Sequence, residues 1–553
     1  MRMFLEARTL PSGTELEADL CIVGAGAAGI SLALALDESP LRVLLVESGS
    51  FDRKRETQAL YAGRNVGLDS YPLEESRSRF FGGSTNCWGG WCKTFDPIDF
   101  EERAWLGVTG WPFGLEQLEP YHARAAPLLQ VAPLESSPRE WELSSISSPK
   151  ARLLRLDDGA IENRIAQFSP PARFGRLYRE PIRRSQNIRV VLNANLVEIE
   201  TDESATTVIG LRLASLAGTT FSAHARAHVL AMGGIENARL LLLSNKVATG
   251  GLGNANDLVG RFFMDHPRVV AGNFTPAPSA PGLDFYDVTY NVRNKEMMAN
   301  GICAAAFMSV RPEVQRDEQL LNSRVCFESV FAGEEAQATE ALRRVRAAAK
   351  NRELARTALK ELPTILRDVG AVAHAVEAHF LRPARLLRAR RLITIIEPDP
   401  NPDSRVTLST ECDALGLPRA IVDWRLGPHT ERSLRRVQQL VAAELARRGL
   451  GELVLTEDDP DEKILGAWHH MGTTRMSDNP ATGVVNADCR IHGMNNLYIT
   501  GSSIFPTVSS DMPTVMIVAL ALRLADHLRD QLTRRPRVPM PSSGVPPAPP
   551  GSR

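Results

Sequence analysis

Apolar residues along the chain fall into short unbroken runs, which read as buried strands, and into longer stretches with helical spacing. Leu20–Val23 is such a run. Gly24-Ala25-Gly26-Ala27-Ala28-Gly29, an Ala/Leu-rich stretch and a second run, Val43–Val46, follow it. The pattern predicts strand, glycine turn, helix, strand. Residues Phe81 to Trp111 are rich in Gly and Trp and predict irregular chain. Strand-like runs return around Ile188–Glu200 and His228–Met232, and Gly233-Gly234 opens a Leu-rich helix directly after the second. Between 267 and 462 strands and helices mix, with Arg405–Thr410 strand-like and a long helix over about 429–448. A glycine-rich stretch, 466–507, leads into a helix predicted from Pro513 to about Leu532. Beyond it, 7 prolines in the 18 residues from Pro536 to Arg553 predict a disordered tail. No internal repeat is visible.

Composition narrows the class. The 553 residues carry 64 Lys+Arg against 65 Asp+Glu, a net charge of −1, so the basic excess that nucleic-acid binding needs is missing. Hydrophobic residues at 43% and charged residues at 23% fit a soluble globular protein. The seven cysteines (21, 87, 92, 303, 326, 412 and 489) show no CxxC or Cys/His zinc spacing; free thiols, no metal and a cytoplasmic location are expected. The neutrality is uneven. Residues 340–391 hold 13 Lys+Arg against 5 Asp+Glu with amphipathic helical spacing. The segment reads as a solvated face or as a docking patch for anionic lipid, an acidic substrate or a redox partner.

The first glycine turn carries the earliest chemistry. In a strand–turn–helix, Gly24 makes the tight turn, Gly26 lets the backbone approach a pyrophosphate, and Gly29 allows close helix–strand packing. The helix N-terminus then attracts the phosphates. Glu47, 18 residues past Gly29 at the end of the next strand, can accept hydrogen bonds from ribose hydroxyls and disfavours a 2′-phosphate. The motif alone leaves NAD and FAD open.

Four further segments resemble the glucose–methanol–choline (GMC) oxidoreductases, in family order: Arg79–Asn86; Gly110-Trp111 with Pro120-Tyr121; Ala231–Arg239; and the block from His469 to Asp526. The resemblance implies an α/β chain with FAD in a doubly wound, Rossmann-like domain made of residues 1–99, 186–266 and 463–531. A substrate domain of antiparallel sheet and helix, 100–185 and 267–462, would include the basic segment 340–391, and 532–553 would form the tail. The expected cofactor contacts are Gly24, Gly26, Ala27, Ala28, Gly29, Glu47 and Ser48; Arg79, Gly82, Gly83, Ser84, Asn86, Cys87 and Trp88; Val197; Gly233 and Gly234; and Gly501, Ser502, Met512, Pro513 and Thr514.

In Trp468-His469-His470-Met471-Gly472-Thr473, the resemblance makes His469 the general base and gives His470 a structural role, with a lesser claim to catalysis. The reaction implied is oxidation of an alcohol of a small organic molecule, with hydride passing to flavin N5 and then to oxygen or another acceptor. The family's second catalytic position, a His or Asn, holds Met512 here, whose thioether accepts only weakly and donates nothing. Met512 is expected as an apolar wall, and Asp511 as the N-cap of the last helix. Cys87, directly before Trp88, could carry a thioether to the flavin, although a small buried thiol is the plainer expectation. The loss at Met512 leaves two alternatives open: C–C or C–N dehydrogenation on the same scaffold, and a weakly catalytic flavin subunit that docks a partner through 340–391.

Overall fold

The computed structural model describes residues 3–68, 71–134, 152–156, 158–170, 172–288, 296–297, 303–350, 354–455 and 464–534. The proline-rich tail expected from 532 onward lies outside the described residues beyond 534.

Glu15–Val23 is buried along nearly its whole length, as a central parallel strand must be. Val43–Val46 pairs with it on one side and Thr220–Leu230 on the other, both parallel. Ile188–Leu192 and Phe4–Glu6 extend the sheet beyond Val43–Val46. Val208–Ala214 and Asn195–Thr201 add an antiparallel flap at the opposite edge. The last strand, Leu497–Ile499, joins in parallel at His228–Leu230, so both ends of the chain meet on one strand. Helix Ala27–Ala35 packs against Thr514–Arg534, which buries Val515, Val518, Leu522 and Leu528. Gly29 permits the close start of the first helix: a Cβ there would lie 1.9 Å from the Gly24 carbonyl oxygen. This is the doubly wound layer expected from the glycine turn. His228–Met232 ends earlier than the run suggested, since the strand stops at Leu230 and the helix spans Gly233–Leu243.

The mixed region forms a second, antiparallel sheet. Its order is Gly451–Leu455, Pro267–Pro276, Leu387–Ile396, Ser323–Phe331, Cys303–Val310, Ile161–Phe168 and Trp91–Cys92. Trp91–Cys92 thus sits in this sheet, opposite Phe168 and Gln167, although it precedes residue 99. One face packs Val325, Phe327 and Leu392 on Val437, Val441 and Leu445 of the helix Pro428–Arg447. The other presents Ala166, Phe168, Ala305, Phe307, Cys326 and Ile393, against which Met512 rests. That contact brings the start of the last helix onto the second sheet. The seven cysteines are all free, and no helix among the described residues is long and apolar enough to cross a membrane.

Candidate active site

A cavity of about 470 Å³ runs along the ends of the parallel strands and is lined by the glycine turn. Gly24 adopts φ +104°, and a Cβ there would strike the Ala231 carbonyl at 2.6 Å. At Gly26 the equivalent position is open, with only the Gly83 Cα at 4.0 Å. Ala27 and Ala28, at the start of the first helix, line the same space. Glu47 is buried at the strand end and accepts the N–H groups of Ala25 (2.9 Å) and Gly49 (2.8 Å). Its carboxyl pKa is raised by burial, against these hydrogen bonds.

The segment from Arg79 to Trp88 folds over the turn through Gly82 N–H to the Ala25 carbonyl, 2.8 Å. Arg79 donates to Ser48 Oγ (2.6 Å) and to Glu236. Glu236 also holds Arg77 and Arg239. Burial opposes charge on this carboxyl, but the three guanidinium groups bring its pKa down to about 2. Gly83, Ser84, Cys87 and Trp88 line the cavity. Cys87 is exposed rather than buried, with Sγ 3.2 Å from Ser78 Oγ.

Gly29, Gly82, Asn86 and Val197 stand behind the wall. Asn86 donates to the carbonyls of Phe81 and Gly83, and a Cβ at Gly82 would meet Gly175 N at 2.5 Å. Ala194 and Leu196, not Val197, supply that part of the lining, because alternate residues near a strand turn to opposite sides. At the other end, Gly233 (φ +85°) and Gly501 (φ +107°) leave open Cβ positions beside Gly234, Ser502, Pro513 and Thr514.

His469 and His470 reach the cavity on a loop shaped by Asp265. The Asp265 carboxylate accepts the backbone N–H groups of Ala467 (3.1 Å), Trp468 (3.1 Å) and His469 (2.8 Å), while Trp468 takes a left-handed φ of +65°. Tyr71 OH also donates to Asp265 and lies 3.0 Å from His470 Nε2. Burial pushes the Asp265 carboxyl up to about 6, opposed by the Tyr71 and backbone hydrogen bonds. His470 is buried and stacked on Phe263, and burial lowers its pKa to about 3.

His469 Nδ1 lies 2.9 Å from His266 Nδ1, and His266 Nε2 lies 2.9 Å from the Ser509 carbonyl. A carbonyl only accepts, so His266 Nε2 carries a proton. Burial, with the Arg324 charge, lowers the His266 pKa to about 4, so its ring is neutral and its Nδ1 is an acceptor. His469 Nδ1 therefore donates, which leaves Nε2 as an unprotonated lone pair. Burial first, then His266, Arg324 and His470, hold the His469 pKa well below 6.5.

Met512 contributes no such group. Its Sδ lies 4.0 Å from Nη2 of Arg324, a buried guanidinium 4.7 Å from the Trp91 ring and 3.8 Å from Asp511. Asp511 does not cap the last helix, which opens at Thr514; its carboxylate accepts Lys93 Nζ at 2.7 Å. The partly buried ammonium nearby competes successfully for the carboxylate. Asp265, His266 and Arg324 escaped the sequence reading. Met264-Asp265-His266-Pro267 looks like a loop before a strand, and the only available signal was two titratable residues packed ahead of the proline.

Open glycine positions, a helix N-terminus and a buried carboxylate at the end of the next strand suit an extended dinucleotide. The segment 19–247 matches the family model described as FAD dependent oxidoreductase. The chain is an FAD-dependent oxidoreductase, and FAD is its cofactor. Residues 400–521 match the C-terminal model described as GMC oxidoreductase. Over these residues, which carry His469 and the start of the last helix, the chain is similar to the GMC oxidoreductases. It is similar to paromamine 6′-oxidase of Streptomyces fradiae, with 24% identity over 94% of this chain and 92% of the relative. The fructose dehydrogenase large subunit of Gluconobacter japonicus is 23% identical over 94% of this chain and 99% of the relative. Among solved structures, pyridoxine 4-oxidase from Mesorbium loti superposes with a TM-score of 0.56 at 19% identity, covering 92% of this chain and 98% of that one.

Proposed function

We propose that the protein oxidises the CH–OH group of a small organic molecule, with His469 as general base. The observation that carries this reading is the 2.9 Å His469–His266 contact, which frees Nε2 of His469 to take the hydroxyl proton. FAD, when bound, supplies the acceptor for the hydride that leaves the carbinol carbon. The backbone of the Gly24–Gly29 turn would hold its pyrophosphate and Glu47 the adjacent ribose. Gly83, Ser84, Cys87 and Trp88 would flank the ring end together with Gly501, Ser502, Pro513 and Thr514. The N-terminus of the last helix favours negative charge at that end. Relatives named for paromamine, fructose and choline support a hydroxylated substrate.

Met512 supports a second reading, dehydrogenation at a C–C or C–N bond, because its thioether cannot clamp a substrate oxygen. One experiment separates the two. The flavin is bleached anaerobically with panels of alcohols, amines and saturated carbonyl compounds, in wild type and His469→Ala. Alcohols are expected to bleach wild type and to bleach the variant about 10²–10⁴-fold more slowly. Equal rates in both proteins overturn the assignment of His469, and bleaching by amines or carbonyl compounds alone favours the second reading.

A further inference from the structure

The strands Ser323–Phe331 and Leu387–Ile396 pair directly, with Phe331 opposite Leu387. The chain between them is therefore an excursion from the end of a hairpin. It forms three helices, Gln337–Lys350, Leu354–Arg367 and Val369–Leu381.

The second and third of these helices turn large apolar side chains outward. On Leu354–Arg367 the inward position is Glu361, held by Arg344 of the preceding helix, while Leu359, Leu362 and Leu366 are exposed. On Val369–Leu381 the buried residues are the small Ala375 and Ala378, while Val376 is exposed and Phe380 is 71% exposed. At about 100° per residue, Leu359, Leu362 and Leu366 fall on one outward arc of their helix and Val369, Val376 and Phe380 on one of theirs, away from the faces that pack. Seven of the thirteen exposed large apolar residues in the described chain lie between 359 and 381, so this is a patch and not scatter.

Cations border the patch. Lys360 and Arg367 are exposed on the flank of the first apolar arc, and Arg346 and Arg388 are exposed on the neighbouring elements. Arg346, Arg367 and Arg388 make no ion pair with a described residue. An outward apolar arc edged by arginine and lysine is the pattern of a helix lying in a lipid–water interface. No helix among the described residues is long and apolar enough to span a bilayer.

We propose that the insertion 337–381 docks the enzyme on an anionic membrane surface. Leu359, Leu362, Leu366 and Phe380 enter the acyl boundary, and the bordering cations meet lipid phosphates. The proposal is independent of which bond the flavin site oxidises.

The test is sedimentation of the holoenzyme with vesicles of phosphatidylcholine alone or with added phosphatidylserine, and sizing by light scattering. Wild type is expected to pellet with the anionic vesicles at least about ten-fold more than with the neutral ones, and to be released in part by high salt. The triple variant Leu362→Asp, Leu366→Asp, Phe380→Asp is expected to lose that binding about ten-fold or more while keeping its FAD content and flavin spectrum. Arg346→Glu with Arg367→Glu is expected to remove the preference for anionic lipid. Failure of wild type to pellet overturns the proposal. So does equal binding by the triple variant, or a wild-type dimer that the triple variant dissociates, since the patch would then cover a second copy.

Discussion

The Nδ1 atoms of His266 and His469 lie 2.9 Å apart, although 203 residues separate them. The contact fixes which nitrogen of His469 carries the proton, because the far side of His266 is committed to the Ser509 carbonyl. With His469 as the proposed base, His266 takes the part of a positioning residue. His266→Phe is expected to lower kcat about 10²–10³-fold with FAD content and KM little changed. His266→Asn, which keeps an acceptor, should recover part of the loss. A His266→Phe enzyme with wild-type kcat would remove His266 from the reaction.

The depressed pKa of His469 has a signature in rate. An ordinary histidine base would lose activity as pH falls through about 6.5. Here burial and the nearby Arg324 charge favour the neutral ring, so kcat/KM is expected to stay level through that point and decline only at lower pH. A half-maximal rate near pH 6.5 would contradict this.

Stability has its own pH dependence. Burial lowers the His228 pKa to about 3, and its unfolded value is near 6.5. Between those values the unfolded chain binds the extra proton, so stability rises with pH and is lost as pH falls. Asp99 and Asp265 run the other way, their carboxyls being raised to about 7 and about 6, mainly by burial. His228→Phe isolates the histidine contribution. Urea unfolding at pH 7 and pH 5 should show a difference between the two pH values altered by about 2 kcal/mol in the variant's favour at pH 5. An unchanged difference would mean that His228 titrates alike in the folded and unfolded chain.

Two glycines three residues apart should fail differently. At Gly26 a side chain enters the cavity without striking backbone, so Gly26→Val is expected to fold but to lose FAD. At Gly29 a Cβ meets the Gly24 carbonyl at 1.9 Å, so Gly29→Ala should lower stability by about 2–3 kcal/mol before any effect on cofactor. Near-UV circular dichroism and flavin absorbance distinguish the two. Full FAD retention in Gly26→Val would place the cofactor elsewhere.

Met512 rests on Phe168, Phe307 and their neighbours, and its only polar contact among the described residues is a long one to Arg324. Met512→Leu should therefore keep the rate of flavin bleaching within about three-fold, because the two side chains have similar volume. A loss of about 10²-fold or more would assign the thioether a polar role.

The first glycine turn was legible because strand, turn and helix are contiguous, and Gly24 and Gly29 answer to local steric demands. The antiparallel sheet was harder to read, since its strands recruit Trp91–Cys92 and Ile161–Phe168 from far upstream of Pro267–Pro276. His469 was reachable through a motif, whereas His266 and Asp265 act through contacts that close only in three dimensions. Asp511 was misread for the same reason: Lys93, 418 residues away in sequence, claims the carboxylate that local chain would have used as a cap. Beside the expected Val197, Ala194 and Leu196 turn toward the cavity, an alternation whose phase the sequence pattern alone does not give.

The pairing of His228–Leu230 with Leu497–Ile499 has a consequence for synthesis. The strand Thr220–Leu230, which leads into Gly233 and Gly234, lacks this neighbour, and the cavity lacks Gly501, Pro513 and Thr514, until the ribosome has passed those residues. The cavity is therefore complete only after residue 514 has been synthesised, and a nascent chain stalled before residue 497 holds an open sheet edge for a chaperone to guard.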